Sequence, residues 1–430
     1  MNSFSLYAEI LDAPLLRFNY ALPTAKSKSS FNGVSQFGPY DKDIFPKSEI
    51  KPVIIYPSIY ENEIKRFIEK FVHGLGVYPG FKKLFRVDIE EFETYPVEAS
   101  KLNDEASKLN DYEKALKKVV TKDYDIAFVI TKEESPSLYS FIKTFLLGNG
   151  IPCQVIRLAT ITKDDEQLQW ILENIALSSY AKVGGTPWVI EAEDKSEIVL
   201  GMSRAIDKSK KVIVGFSTIF KHNGDFLLFY SKSPVATWED YQRSLEELVY
   251  EAITEYERRS EPPRFLVFHF HKRTGRKEIE AVKRAIDRLD IDVKYALLHL
   301  NSYSSYRIFD TSDLTYAPLI GMDVRLSSRQ AILATDGRRF YSKRHYTGAP
   351  HVLEITMDKE STIDFNEFPR LVEQVYRFSY VNWRGFNAKT IPITINYSHL
   401  IARLVSNLED VNNWNTIITN GKLIDKAWFL

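Results

Sequence analysis

The chain has 430 residues, and its 57 Lys and Arg balance its 57 Asp and Glu, so the formal net charge is zero. The length predicts two or three domains, and neutrality excludes nucleic-acid binding through positive charge spread over the whole surface. Its single cysteine, Cys153, excludes an internal disulfide and a cysteine-cluster metal site. No apolar stretch reaches the ~20 residues of a membrane helix, and residues 1–16 lack the basic start of a signal peptide. We therefore expect a cytoplasmic protein with no direct membrane insertion, reaching a membrane only through a partner.

The first half alternates short apolar runs with amphipathic stretches. Residues 1–45 have no sustained period and are predicted to be an N-terminal extension draped over the body. Strands are then predicted at residues 53–56, 84–89, 125–130 and 153–158, and helices at residues 61–72, 102–120, 137–147 and 164–183. Strands alternating with helices predict a mostly parallel sheet covered on both faces. Residues 46–185 are therefore predicted to form one Rossmann-like α/β domain.

The second half, residues 186–430, has a different order. It begins with consecutive strands at residues 188–190, 198–200, 211–220 and 226–230, the last two joined by a turn centred on Asn223-Gly224. A helix at 238–259, a strand at 265–270, a helix at 276–289 and a strand at 293–300 follow. Antiparallel strands followed by alternating helices and strands are typical of an RNase H-like domain.

The glycine-rich phosphate loops are missing from the sequence. No Gly-x-Gly-x-x-Gly follows a strand, and no loop ends in Gly-Lys-Ser/Thr. A Rossmann-like domain without such a turn is a poor dinucleotide binder, so any phosphate must be held by side chains. The alternation of strands and helices also suggests another hypothesis, an α/β enzyme that acts on a small molecule. The missing glycine-rich turn counts against that hypothesis.

Four polar residues in the first domain suggest such side chains. Tyr139 and Lys143 are four residues apart and share one helix face, where a phenol and an ammonium can hold a phosphate or stack on a base. Gln154 lies on the next strand, and Lys182 ends the long helix in Lys-Val-Gly-Gly-Thr-Pro-Trp. Two interpretations without a ligand remain open. Tyr139 and Lys143 can form an ordinary exposed pair, and Lys182 can donate to the last carbonyls of its helix.

Taken together, these residues resemble the guide 5′-phosphate pocket of the MID domain in Argonaute proteins. Two segments, 293–301 and 381–386, resemble strands of the PIWI domain in archaeal Piwi-like proteins. A third segment, 391–397, resembles another part of that domain, and the last four residues, 427–430, resemble the ending of the family. The resemblance implies a MID domain at 46–185 and a PIWI domain at 186–430. Because 430 residues leave no room for N and PAZ domains, we expect a short prokaryotic Argonaute.

The resemblance also implies roles for individual residues. Tyr139, Lys143, Gln154 and Lys182 would surround the guide phosphate, and Mg²⁺ would bridge it to the carboxylate of Leu430. Ser178 stands where the family often has a second glutamine. Basic segments 271–284 and 325–345 would follow the nucleic-acid backbone. The implied backbone contacts are Lys272, Arg273, Arg338, Arg339 and Arg384.

The catalytic positions of the resemblance look degenerate. Ser203 and His271 stand where cleaving PIWI domains have acids, and His399 retains a histidine. Because a Mg²⁺ pair needs that negative charge, we expect no target cleavage and no enzyme activity. The leading hypothesis is a guide-loaded sensor that signals to a separately encoded effector in immunity against plasmids or viruses. An RNA guide with a DNA target is the implied pairing, with a DNA guide as the alternative.

A self-sufficient guided endonuclease is the second hypothesis. It would use non-standard ligands such as His271 and His399, and a cleavage assay separates it from the leading hypothesis. A zinc site built on His269-x-His271 is a weaker variant, because no third ligand lies near in the sequence.

Overall fold

The computed structural model describes residues 6–98, 105–193, 196–207, 213–271, 273–338, 350–408 and 413–430. The elements before residue 50 are β1 (Ala8–Ile10), β2 (Leu16–Arg17), β3 (Lys26–Ser27), α1 (Ser30–Phe37) and β4 (Glu49–Ile50). The elements of the first domain are β5 (Pro52–Pro57), α2 (Glu61–His73), α3 (Phe81–Phe85), β6 (Asp88–Ile89), β7 (Glu93–Val97), α4 (Glu105–Val119), β8 (Ile126–Thr131), α5 (Pro136–Gly148), β9 (Cys153–Arg157), α6 (Leu158–Ile161) and α7 (Asp165–Lys182).

A parallel four-stranded sheet in the order β7-β5-β8-β9 organises the first domain. Every residue of β5 and β8 is buried, as expected for strands with helices on both faces. The predicted Rossmann-like arrangement is confirmed. The predicted strand at 84–89 is wrong, since α3 ends at Phe85 and only Asp88–Ile89 pair as a strand. Phe81, Leu84 and Phe85 are all buried. Because residues three and four apart lie on one face of a helix, this spacing favours the helix α3 over a strand.

The elements of the second half are β10 (Val189–Ile190), β11 (Glu197–Ile206), β12 (Ile213–Lys221), β13 (Phe226–Ser231), α8 (Trp238–Glu257), β14 (Phe265–His271), α9 (Arg276–Leu289), β15 (Lys294–Asn301), β16 (Met322–Ser327), β17 (Gln330–Leu333), β18 (Leu353–Met357), α10 (Phe368–Arg377), α11 (Ile393–Asn407) and α12 (Asn413–Ile418). Single 3₁₀ turns lie at Ser58–Tyr60, Phe365–Glu367 and Phe378–Tyr380.

One mixed sheet runs through this half in the order β1-β16-β17-β18-β15-β14-β11-β12-β13. Its part β13-β12-β11-β14-β15 joins three antiparallel strands to two parallel ones, which confirms the RNase H-like order. Of the two later segments compared with the PIWI domain, 381–386 is a loop rather than the expected strand, and 391–397 leads into α11. The run Ile393-Thr394-Ile395 is helical because it packs against β11, where the carbonyl of Thr394 faces Gly201.

The N-terminal extension is more deeply integrated than the sequence suggested. Strand β1 pairs with β16 at the edge of the large sheet, and β2 lies between β10 and β3. Phe18, directly after β2, is completely buried. Asp41 accepts hydrogen bonds from the Tyr180 hydroxyl at 2.6 Å and the Thr186 amide at 2.8 Å. The segment therefore fastens the end of α7 to the start of the second half.

Candidate functional site: a buried pair of lysines

Helix α5 presents the first two site residues. The Ser135 hydroxyl accepts from the Leu138 amide at 3.2 Å, and Pro136 occupies the first turn, so the helix starts one residue before its predicted start. Tyr139 is 38% exposed, and the Lys143 ammonium lies 5.8 Å from its ring centroid. The pair therefore has an open aromatic end and a buried cationic end.

Lys182 at the end of α7 meets Lys143 over one backbone carbonyl. The Lys143 ammonium donates to the Cys153 carbonyl at 2.9 Å, and the Lys182 ammonium donates to the same oxygen at 3.2 Å. Lys182 also donates to the Gln154 side-chain oxygen. The structure thus brings together Tyr139, Lys143, Gln154 and Lys182, although they are up to 43 residues apart in the sequence.

The site holds positive charge without a matching carboxylate. Among the described residues, neither Lys143 nor Lys182 has an acidic side chain within ion-pair distance, and Lys182 is 1% exposed. Burial lowers the pKa of the Lys182 ammonium well below its usual value, and the charges of Lys143 and Arg384 lower it further. An anion entering here would remove that penalty.

The turn after α7 explains the glycines of the motif. Gly184 has φ +100°, which strongly favours glycine. At Gly185 a Cβ atom would lie 2.3 Å from the Tyr180 ring. The chain can therefore turn sharply after Lys182 and leave the ammonium pointing into the site.

The C-terminal segment packs against both site helices. The Asn420 side chain donates to the Gly148 carbonyl at the end of α5 at 3.0 Å. The Lys426 side chain lies 3.6 Å from where a Cβ of Gly184 would be. Leu430 is buried, and its amide donates to the Ala427 carbonyl at 3.2 Å. The terminal carboxylate thus belongs to a segment seated against the ends of α5 and α7.

A loop of the second half, residues 381–390, adds further cations. It is fixed by the Trp383 indole, which donates to the Trp188 carbonyl at 3.1 Å. Arg384 is exposed and close enough to depress the pKa of Lys182 and of half-buried Lys389. For Lys389, burial is the larger cause. Sequence reasoning missed Lys389, because no motif or periodicity distinguishes it.

Ser178, which stands where the family often has a second glutamine, is buried near this site but does not donate a hydrogen bond into it. Ser178 is 3% exposed, and its hydroxyl donates to the Ile175 carbonyl at 3.1 Å within α7. The hydroxyl is therefore engaged with its own helix.

Most described cations of the two basic segments are already paired. Arg338 contacts Asp310 at 2.5 Å and Asp313 at 3.2 Å, so its predicted backbone contact competes with two internal ion pairs. Similar pairs are Arg276–Glu280, Lys283–Glu360, Arg284–Glu246 and Arg325–Asp323. Arg273 is exposed and forms no ion pair with a described residue. Lys272 and Arg339 lie outside the described residues.

The three positions that the sequence analysis compared with a catalytic centre lie near one end of the large sheet. Ser203 on β11 follows the register pair Met202–Phe270, which places it beside His271 on β14. The rings of His271 and His399 are 4.2 Å apart between centroids. Among the described residues, no group of three or more His, Cys, Asp or Glu side chains could hold a metal ion.

His269 has a structural environment. Its ring nitrogen Nδ1 lies 2.9 Å from the Thr394 hydroxyl, and burial lowers the pKa of its imidazole to about 3. It is completely buried. We therefore regard it as a core residue joining β14 to α11.

None of the described helices is both long enough and apolar enough to span a bilayer.

Fold and site define an α/β protein with a Rossmann-like sheet, an RNase H-like sheet and a buried pair of lysines at the end of α7. A family model described as the Piwi domain matches residues 125–409. The chain therefore belongs to the Piwi family, to which Argonaute proteins belong.

Similar proteins agree with this assignment. The Argonaute of Cereibacter sphaeroides is 27% identical over 461 residues, covering 97% of this chain and 58% of the relative. The Piwi protein of Archaeoglobus fulgidus is 23% identical over 432 residues, covering 95% and 96%. Clostridium butyricum Argonaute, solved with a guide DNA and a 19-mer target DNA, superposes with a TM-score of 0.75 at 19% identity, covering 94% of this chain and 53% of that one. The chain thus spans a little over half the length of two of these three.

Proposed function

We propose that the chain binds a short 5′-phosphorylated guide strand and uses it to recognise a complementary nucleic acid. The Lys143–Lys182 pair carries the proposal, because two buried ammonium groups share one carbonyl and have no carboxylate among the described residues. A terminal phosphate supplies up to two negative charges and several acceptors. Tyr139 offers the exposed ring on which the first base would stack.

A divalent cation fits the same site only together with the phosphate. No described cluster of acidic or histidine side chains could hold it alone, whereas Mg²⁺ commonly binds through one carboxylate, phosphate oxygens and water. The Leu430 carboxylate, on the segment packed against Gly184, would be its protein ligand. When bound, the cation supplies charge neutralisation between the carboxylate and the phosphate.

We further propose that the protein binds its target without cutting it and acts through a separately encoded effector. Supporting this, the three positions at the sheet end carry a serine and two histidines, and the two rings lie against each other. Serine and histidine side chains do not provide the negative charge that a pair of Mg²⁺ ions requires. An RNA guide, a DNA target and a role in immunity against plasmids or viruses complete the proposal.

The test compares guides that differ only at the 5′ end. We expect the full chain to bind a 5′-phosphorylated 18-mer more tightly than its 5′-hydroxyl form, at about 2–5 kcal/mol for the buried charge contacts. Tyr139→Ala combined with Lys143→Ala should remove the preference. Lys65→Ala is the charge-matched control, because Lys65 is exposed and pairs with Glu61 on α2. Equal binding of both guides by the wild type would refute the proposal.

The partner and the guide chemistry need a separate experiment. Nucleic acid co-purified from the native host should be sequenced and end-labelled, and the proteins in the same preparation identified. We expect short 5′-phosphorylated strands and a stoichiometric effector. Nucleic acid of random length without a 5′-phosphate would contradict the assignment.

A further inference from the structure

The surface beside the degenerate centre carries an unusual set of exposed rings. We define the aromatic loop as residues 302–317, which follow β15. Its exposed large apolar side chains are Tyr303 at 71%, Tyr306 at 43%, Phe309 at 58%, Leu314 at 99% and Tyr316 at 55%. Exposed apolar side chains concentrated in one loop commonly mark an interaction site.

The loop is held in shape by its own contacts, so the exposure is a fixed feature. Ser304 and Ile308 are buried and anchor it between the rings. The Asp310 amide donates to the Tyr316 carbonyl at 3.0 Å, which closes the outer turn. Arg338 pairs with Asp310 and Asp313 beneath that turn. A ligand would therefore meet preordered rings and cause little loss of conformational entropy.

The aromatic loop lies close to the proposed path of the nucleic acid. The Tyr303 ring centroid lies 6.2 Å from that of His271, which in turn lies 4.2 Å from His399. These histidines are two of the positions that the resemblance to PIWI domains assigns to the catalytic centre. The aromatic loop thus extends this end of the sheet outward.

Chemistry favours bases over a protein partner. Four of the five exposed large apolar side chains are rings, and Leu314 is the aliphatic one. Arg307 and Arg338 balance Asp310 and Asp313, so these charged groups give no net attraction for phosphates. Every nucleobase has a π face, and stacking on a protein ring requires no particular sequence.

We propose that the aromatic loop is a stacking platform for the bases of an unpaired nucleic-acid strand leaving the guide–target region. The platform deepens the proposed function and rests on it for its biological role. Its rings are Tyr303, Tyr306, Phe309 and Tyr316. They would retain a single strand whose phosphates are bound elsewhere.

The experiment measures anisotropy of a labelled 20-nucleotide oligothymidylate with a 5′-hydroxyl, which bypasses the lysine pocket. Tyr303→Ala and Phe309→Ala should each weaken binding by roughly 5- to 100-fold. Tyr303→Phe keeps the ring and should bind like the wild type. Leu314→Ala removes an aliphatic side chain that is even more exposed, 99% against 71% for Tyr303 and 58% for Phe309, and should have no effect. Thermal unfolding of each variant checks that the fold is intact.

An abasic strand of the same length provides the second arm. We expect it to bind weakly and equally to wild type and ring variants. Unchanged oligothymidylate binding by both alanine variants would overturn the proposal, as would tight binding of the abasic strand. Loss of a co-purifying protein in Leu314→Ala, with oligothymidylate binding intact in the ring variants, would assign the loop to a protein partner instead.

The two proposals fail separately in this design. The 5′-phosphate preference should survive Tyr303→Ala, because the lysine pocket is untouched. If wild-type protein shows no such preference but the ring variants still lose oligothymidylate binding, guide loading is refuted and the stacking platform stands.

Discussion

Replacing Lys182 by Met should make the guide-free protein more stable and impair its recognition of the guide phosphate. The Lys182 ammonium is 1% exposed and donates only to neutral acceptors, the Cys153 carbonyl and the Gln154 side chain. Its replacement leaves the Cys153 carbonyl satisfied, because that oxygen still accepts from Lys143 at 2.9 Å, and the Gln154 side chain that loses a donor is only partly buried. Exchanging buried ionic groups for apolar ones of similar volume commonly gains about 1–4 kcal/mol in the free energy of unfolding.

The same substitution should reduce the benefit of a guide. A ligand at a hundredfold excess over its Kd stabilises the folded state by about 2.7 kcal/mol. We expect that increment for wild type with a 5′-phosphorylated guide and a much smaller one for Lys182→Met. Denaturant unfolding, with and without guide, gives all four free energies, and Lys65→Met on exposed α2 is the matched control.

A pH series provides an independent readout. The folded pKa of Lys182 lies below its unfolded value of 10.5, so between the two pKa values the unfolded state binds more protons. Its contribution to the stability of guide-free wild type should therefore rise with pH toward 10.5. Lys182→Met should remove that part of the slope. A guide-free variant less stable than wild type, with its 5′-phosphate preference intact, would refute the reasoning.

Three further predictions follow from other parts of the molecule. Burial raises the pKa of Asp41 from 3.8 to about 7, so between these values the folded state binds one more proton than the unfolded state. The contribution of Asp41 to the free energy of unfolding should therefore fall as the pH rises from about 4 to 7. Asp41→Asn should flatten that slope, and an unchanged slope would contradict the prediction. Gly201→Ala should cost about 1–3 kcal/mol in urea unfolding, because its Cβ would lie 2.6 Å from the Thr394 carbonyl, whereas Gly421→Ala, with nothing within 4 Å, should be neutral. Matched guide and target with Mg²⁺ or Mn²⁺ should leave the target intact, and a single cut at a fixed distance from the guide end would establish a nuclease.

Local sequence patterns predicted the regular parts of the fold well. Helix α9 has the predicted bounds, and α5 extends one residue beyond its predicted bounds at each end. These elements combine strong periodicity with their own end signals. One failure lies where packing overrides local preference: the apolar run before Asp88 is divided by the end of α3.

The sequence predicted which residues form the site, but it did not predict which other cations are already paired with acids. Spacing and motif brought Lys143 and Lys182 into one hypothesis, and the structure unites them on the Cys153 carbonyl. Sequence could not foresee Lys389, nor that Arg338 lies between two aspartates. Such pairings depend on contacts between distant segments, and a count of basic residues within a window carries no information about them.

The zero net charge acquires a structural meaning from those pairings. Five described cations in the two basic segments are matched by nearby acids, whereas Lys143 and Lys182 have none among the described residues. Exposed ion pairs are weak and screened by salt, so they contribute little attraction for bulk nucleic acid. A buried unmatched charge is screened far less and interacts strongly with one well-placed phosphate. The distribution of charge therefore favours recognition of a strand end over binding along its length.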